Sequence, residues 1–354
     1  MNEKTTLALL FGGRGYESDV SVLSAKYILS KLDQEKFRVY PVYITKSGEW
    51  KIGSFEDDID SLIKRSADAQ TIAPVYLNGD GGFISSTGFL KIDAAFPALH
   101  GDFGEDGIVQ GALENARIPL VGQNTKCGSL LSDKAYTKIV AESLGIPTAR
   151  WSVGTKKNKI WGKDVAKLDA RRRLSYPLFI KPTSLGSSVG ASVALSEGGF
   201  DTAYDFAASF GDGRVLVEEY ANVECELECA YFSAKGKELF TNIGEISYSE
   251  GFYDYETKYS STGSVKLCSR AGIDEEVRSR ILDWSRRLVD FFEIRDLSRI
   301  DFFKTKDGRL LFNEINTMPG FTEGSLYPQL VSEAGIDTKT LLTLLIEGAI
   351  SRGA

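Results

Sequence analysis

Over the first hundred residues the apolar positions switch between two periods. TLALLFGG is a short apolar run that stops at a glycine pair, the pattern of a buried strand entering a tight turn. SVLSAKYILSKL, shortly after it, spaces its apolar residues as a helix does. FRVYPVYIT and DAAFPAL return to strand-like runs, the last ending at His100-Gly101. This β-α-β rhythm predicts a small open α/β domain over residues 1–125. SDKAYTKIVAESLGIP (132–147) reads as a helix stopped by Gly145 and Pro147. YPLFIKP is a strand that runs into KPTSLGSSVG, ASVAL is another, and together they mark a second region at 126–215. RVLVEEY and ELECAYFS are further strands. In EEVRSRILDWSRRLVDFF, Val277, Ile281, Trp284, Leu288 and Phe291 fall on one stripe, which predicts a core-facing helix in a third, α+β unit over 216–354. The pattern contains no internal repeat and no low-complexity linker.

The alternation is most informative in RIDFFKTKDGRLLFNEINTMPG (299–320). Asp307-Gly308 is the signature of a two-residue hairpin loop, so Lys306 is expected to pair with Arg309. Continuing that register sets Asp301 opposite Glu314 and Arg299 opposite Asn316, all four on one face of the sheet. Opposed carboxylates repel. Asp, Glu and Asn oxygens are the ligand set of a hard cation such as Mg²⁺. The alternative is a surface cluster that Arg299 neutralises without metal. The Pro-Gly turn after the strand exposes backbone N–H groups suited to a developing oxyanion, or is a plain turn.

Composition narrows the chemistry. With 354 residues, 42% hydrophobic and 26% charged, the chain is too long for one core and ordinary for a globular protein. It contains no apolar run long enough to span a bilayer, and its short first apolar stretch is no signal-peptide core, which together suggest a cytoplasmic protein. A net charge of −7 argues against a nucleic-acid partner. Cys127, Cys225, Cys229 and Cys268 form no C-x-x-C, and the single histidine cannot complete a zinc set. That leaves carboxylates, Lys, Arg and a metal to carry any catalysis. GGRG lacks the full dinucleotide fingerprint. KPTSLGSSVG (181–190) has the composition of a phosphate loop without the G-K-[ST] of the common P-loop; an ordinary surface loop shares that composition.

Six stretches in order carry a resemblance. They are LFGGRGYESDVSVLSA (10–25), LHGDFGEDGIVQGALE (99–114), SDKAYTK (132–138), YPLFIKPTSLGSSVG (176–190), GFYDYETKY (251–259) and RIDFF…NEINTMPG. Together they resemble the D-alanine–D-alanine ligases of the ATP-grasp superfamily over nearly the whole chain. The resemblance implies a three-domain fold of α/β and α+β units, an N-terminal open α/β domain preceding the two ATP-grasp subdomains, with ATP between the central and C-terminal ones. It implies ATP-dependent formation of D-alanyl-D-alanine through an acyl phosphate, for peptidoglycan, by a homodimer with no membrane partner.

The resemblance also implies roles. Asp301, Glu314 and Asn316 would hold two Mg²⁺, with Mn²⁺ as a substitute. Lys134, Lys181 and Ser188 would contact phosphate, and Arg299 and the Gly320 N–H would face the oxyanion. The adenine hinge would lie in LVEEYANVECELE, with either Glu218 or Glu219 at the strand end, Tyr220 beside it and Glu226 on the ribose. His100 would sit near the first D-alanine, with Glu105 ordering its loop. In the lid, Lys258 would reach the γ-phosphate and Tyr259 would close over the substrates. Ser325 and Leu326 would line the second amino-acid site and look like the D-alanine type; the neighbouring Glu323-Gly324 is less typical and leaves D-serine open. One departure stands out. The family usually has Glu before Val-Ser in the first loop, joined to the loop serine and the lid tyrosine, whereas Asp19 stands there and Glu17 is out of register. Asp19 is therefore expected to meet Ser187, and Asp19→Asn to weaken binding of the first substrate sharply.

Overall fold

A computed structural model describes residues 3–67, 73–156, 162–248 and 265–353. Thr5–Gly12, Phe37–Ile44 and Ala94–Pro97 pair in parallel around the first strand, and Trp50–Ile52 adds an antiparallel edge. The helix Ser18–Lys31 packs on this sheet. A second sheet, wholly antiparallel, runs Ser192–Ala194, Leu178–Pro182, Arg214–Glu219, Trp151–Thr155. The third has five antiparallel strands, Val265–Cys268, Lys237–Tyr248, Val223–Ala234, Asp296–Thr305 and Leu310–Asn316. A small three-stranded sheet, Tyr76–Asn78, Gly82–Ser85 and Gly88–Lys91, has no counterpart in the hydrophobic pattern, because its strands are short and glycine-rich.

The largest core is shared between distant parts of the chain. Leu7, Leu9, Phe11 and Phe96 of the first sheet pack in one cluster with Phe232 and Leu297 of the third sheet and with Leu341, Leu342, Leu345 and Ile346 of the last helix, Thr338–Gly353. Helices at 125–131 and 134–143 likewise contribute Cys127, Leu131 and Ala141 to the core under the third sheet. The N-terminal sheet and the floor of the site are thus parts of one packed body.

Two sequence expectations change. In the helix Glu275–Phe292, Ile281, Trp284 and Leu288 are buried, but Phe291 is 54% exposed and Phe292 is buried instead. Eleven positions after Ile281 the helix has turned to within about 20° of it, so the stripe drifts onto Phe292. The hairpin loop is also longer than two residues. Thr305 N–H bonds to Arg309 O at 2.9 Å, and Lys304 pairs with Leu310. The register then shifts by one at Asn313, between the Phe302–Phe312 and Asp301–Glu314 pairs. This bulge restores the expected pairing, so Asp301 faces Glu314 and Arg299 faces Asn316 after all.

Candidate active site

A cleft of about 150 Å³ opens between the second and third sheets. Lys181 enters it from the end of Leu178–Pro182, Ser187 and Ser188 from the loop that follows, and Glu218 to Ala221 from the turn joining Arg214–Glu219 to Val223–Ala234. Ser187 and Ser188 are consecutive non-glycine residues in the left-handed region, with φ of 51° and 59°. Such strain persists where surrounding contacts over-determine a loop, as in ligand clamps.

The cleft is lined with charge. Lys181 Nζ lies 2.7 Å from one oxygen of Glu218, and Lys138 Nζ lies 2.6 Å from the other. Burial opposes ionisation of Glu218, but the two ammonium groups outweigh it and hold its carboxyl down at about 2. Lys181 is pushed below its usual range by burial and by the neighbouring lysines, against the pull of Glu218. Lys134 donates to Leu185 O at 2.7 Å and pairs with Glu314 at 3.0 Å. Burial works against its charge, and Glu314 more than offsets it. Of the two hinge candidates, Glu218 faces Lys181 inside the cleft, while the Glu219 carboxylate binds Arg150 and the Ser175 N–H. Glu226 lines the cleft, whereas Glu224 pairs with Lys304 on the outer side.

A second cleft, about 270 Å³, shares Ser187 and Glu314 with the first. Glu17, His100, Arg299, Gly320, Ser325 and Leu326 line it. Arg299 grips Asp301 with two nitrogens, at 2.8 and 2.7 Å, and reaches Glu228 at 3.2 Å. Burial disfavours the guanidinium charge, but Asp301 and Glu228 hold its pKa well above the usual value. Asn316 Nδ2 donates to Asp301 at 2.8 Å. His100 donates from Nδ1 to Met318 O at 3.0 Å, while its Nε2 meets Ser24 Oγ at 2.8 Å. Glu105 accepts from the N–H groups of Gly101 and Met318, both at 2.8 Å, so it ties its own loop to the turn after the hairpin.

The expectation for Asp19 is corrected here. Ser187 Oγ donates to Glu17, not to Asp19. The helix starts at Ser18, so Glu17 stands before its first turn, buried at 8% exposure, and points into the cleft. Asp19, two residues on, is turned about 200° round the axis and is exposed. Glycines make the room: a Cβ at Gly101 or Gly186 would lie 2.3 or 3.0 Å from Glu17 Oε2. Lys258 and Tyr259 lie outside the described residues.

Two family models match the chain, one described as D-ala D-ala ligase N-terminus over residues 6–123 and the other as D-ala D-ala ligase C-terminus over residues 140–347. The chain belongs to the D-alanine–D-alanine ligase family. It is 35% identical to the D-alanine–D-alanine ligase of Thermoanaerobacter sp. (strain X514), covering 98% of this chain and 97% of that one. Among solved structures it resembles the VanG D-Ala:D-Ser ligase from Enterococcus faecalis, with a TM-score of 0.85 and 32% identity over 98% of this chain and 100% of that one. It also resembles D-alanyl-alanine synthetase A from Vibrio cholerae O1 biovar eltor str. N16961, with a TM-score of 0.84 and 30% identity over 98% and 99%. The ATP-grasp fold expected from the sequence is thus the fold of this ligase family member.

The donor set fits a hard cation. Asp301, Glu314 and Asn316 present oxygen-bearing groups on one face of adjacent strands; Glu314 lines both clefts and Asn316 the second. Among the described residues no group of three or more His, Cys, Asp or Glu side chains is placed to hold a metal. Glu228 extends the acidic row on the next strand, opposite Asp301. Strands two apart are separated by roughly 9–10 Å, so Glu228 and Glu314 do not converge.

Lys138 and Glu228 were not singled out in the sequence. Lys138 follows Lys134 by four residues, and so shares its helix face, which is the signal that was available. Glu228 is the last of the alternating Glu224, Glu226 and Glu228.

Asp102, in the loop after His100, adds a pH-dependent element. Burial, and then the charges of Asp106, Asp212 and Glu17, push its carboxyl up to about 6. Because the folded pKa lies above the unfolded one, its stabilising contribution is complete below about pH 4 and is lost as pH rises through 6. Asp102→Asn is therefore expected to raise the melting temperature at pH 8 and leave it unchanged at pH 3.5, as thermal unfolding at the two pH values will show.

Proposed function

We propose that this chain joins two D-alanines into D-alanyl-D-alanine at the expense of ATP. The observation that carries this reading is the meeting of a lysine-lined cleft and an amino-acid-sized cleft at Ser187 and Glu314, beside Arg299 and Asp301. ATP occupies the first cleft, with its adenine at the Glu218–Ala221 hinge, its ribose on Glu226 and its phosphates on Lys134, Lys181 and Ser188. Asp301, Glu314 and Asn316 would hold Mg²⁺, which when bound neutralises phosphate charge.

The first D-alanine lies in the second cleft, its ammonium on Glu17 near Ser187. Its carboxylate attacks the γ-phosphorus, ADP leaves, and an acyl phosphate forms. The amine of the second D-alanine then attacks that carbonyl; the Arg299 guanidinium and the Gly320 N–H face the oxygen on which charge develops. Collapse of the tetrahedral species releases phosphate and the dipeptide. We place this activity in the cytoplasm, in a homodimer supplying peptidoglycan precursors. D-Serine as the second substrate is the other reading, favoured by the close fit to the Enterococcus faecalis D-Ala:D-Ser ligase. Leu326, Ile246 and Leu267 give the second cleft an apolar wall that suits a methyl group better than a hydroxyl.

The test is phosphate release from ATP with D-alanine alone, then with D-serine or D-lactate added, with products identified by mass. Release with D-alanine alone and a D-Ala-D-Ala product is expected. No release with D-alanine at any pH would overturn the assignment.

A further inference from the structure

Lys138 belongs to no substrate contact described above. It is 1% exposed, lies behind the nucleotide cleft, and its Nζ is 2.6 Å from Glu218 Oε1. The other oxygen of the same carboxylate, Oε2, holds Lys181 Nζ at 2.7 Å. One buried carboxylate thus serves two lysines, and only Lys181 reaches the cleft.

That arrangement has a consequence for phosphate binding. A polyphosphate arriving in the cleft draws Lys181 away from Glu218. Glu218 is 4% exposed, and a buried carboxylate stripped of its only cation is strongly unfavourable. With no second cation, Glu218 would compete with phosphate for Lys181. We propose that Lys138 is a positioning residue: it is the resident counter-ion of Glu218, and it releases Lys181 to the phosphates of the nucleotide. This rests on the reading of the first cleft as the ATP site.

The charges around the cleft agree. Lys134 pairs with Glu314, so Lys138 and Lys181 are the two lysines on Glu218 before any nucleotide arrives. Lys181 carries its proton less firmly than a free lysine because of burial and the nearby Lys138 and Lys134, and an added anion would relieve this. A lysine that only braced its helix against the second sheet would have no reason to discriminate between ligands with and without phosphate.

The experiment is calorimetric binding of a non-hydrolysable ATP analogue with Mg²⁺, and separately of adenosine, to the full chain. Lys138→Met is expected to weaken the analogue by at least about tenfold and adenosine by less than about threefold. Equal loss on both ligands, or no loss, overturns the proposal. A second comparison does not depend on that variant folding. In Glu218→Gln the carboxylate is gone, so adding Lys138→Met should change analogue affinity by less than about threefold. A further tenfold loss there would mean that Lys138 acts on the phosphates directly, and would sink the idea. Failure of the wild-type chain to bind the analogue would instead refute the ATP site itself.

Discussion

Arg299→Met is expected to lower kcat by at least about a hundredfold and to destabilise the fold by about 3–5 kcal/mol. Both effects come from the same geometry. Arg299 is the shared cation of Asp301 and Glu228, which are 3% and 2% exposed. Removing it leaves two nearly buried carboxylates facing each other across neighbouring strands, with Glu314 one strand further on. The catalytic loss follows from position: Arg299 and Gly320 line the cleft in which the tetrahedral oxyanion would form. Urea unfolding at neutral pH measures the stability term, and steady-state phosphate release measures the other. A variant that keeps wild-type kcat would remove Arg299 from the mechanism. One that loses activity with unchanged stability would show that the carboxylates find other cations.

Glu17→Gln should raise KM for the first D-alanine by roughly tenfold to a hundredfold, in line with loss of one charge-assisted contact in a buried site. Asp19→Asn should change it by less than about twofold, as for an exposed helix charge. The contrast reverses the expectation drawn from the sequence, where Asp19 occupies the aligned place. Its basis is the hydroxyl of Ser187, which donates to Glu17 across the gap between the first loop and the loop at 181–190. Initial rates at varied D-alanine and saturating ATP separate the two variants. If Asp19→Asn shows the larger rise, the loop rearranges when substrate binds, and the resting contact is not the working one.

Much of the fold is legible in local pattern. The first sheet and its helix follow from the apolar runs of TLALLFGG and FRVYPVYIT and the helical spacing of SVLSAKYILSKL, because a buried strand and a one-sided helix leave different patterns. The hairpin face carrying Arg299, Asp301, Glu314 and Asn316 also comes from alternation alone, but the agreement has an unexpected route. The turn is longer than the two-residue loop, and the bulge at Asn313 restores the register near the site. Alternation reports which residues share a face; it does not report a bulge.

The order of the main strands and helices and the family were determined by the sequence itself, since each depends on residues close together in the chain or on motifs in a fixed order. Tertiary structure alone decided three other matters. It chose Glu17 over Asp19, because a side chain's direction turns by about 100° per residue and depends on where packing lets the helix begin. It set Glu218 against Lys181 and Lys138 and Glu219 against Arg150, because neighbouring strand residues point to opposite faces. It also brought Lys138, on a helix 80 positions earlier (218 − 138), to the back of Glu218. A contact between residues so far apart leaves no trace in either segment's own periodicity, since it arises only when the helix docks against the sheet.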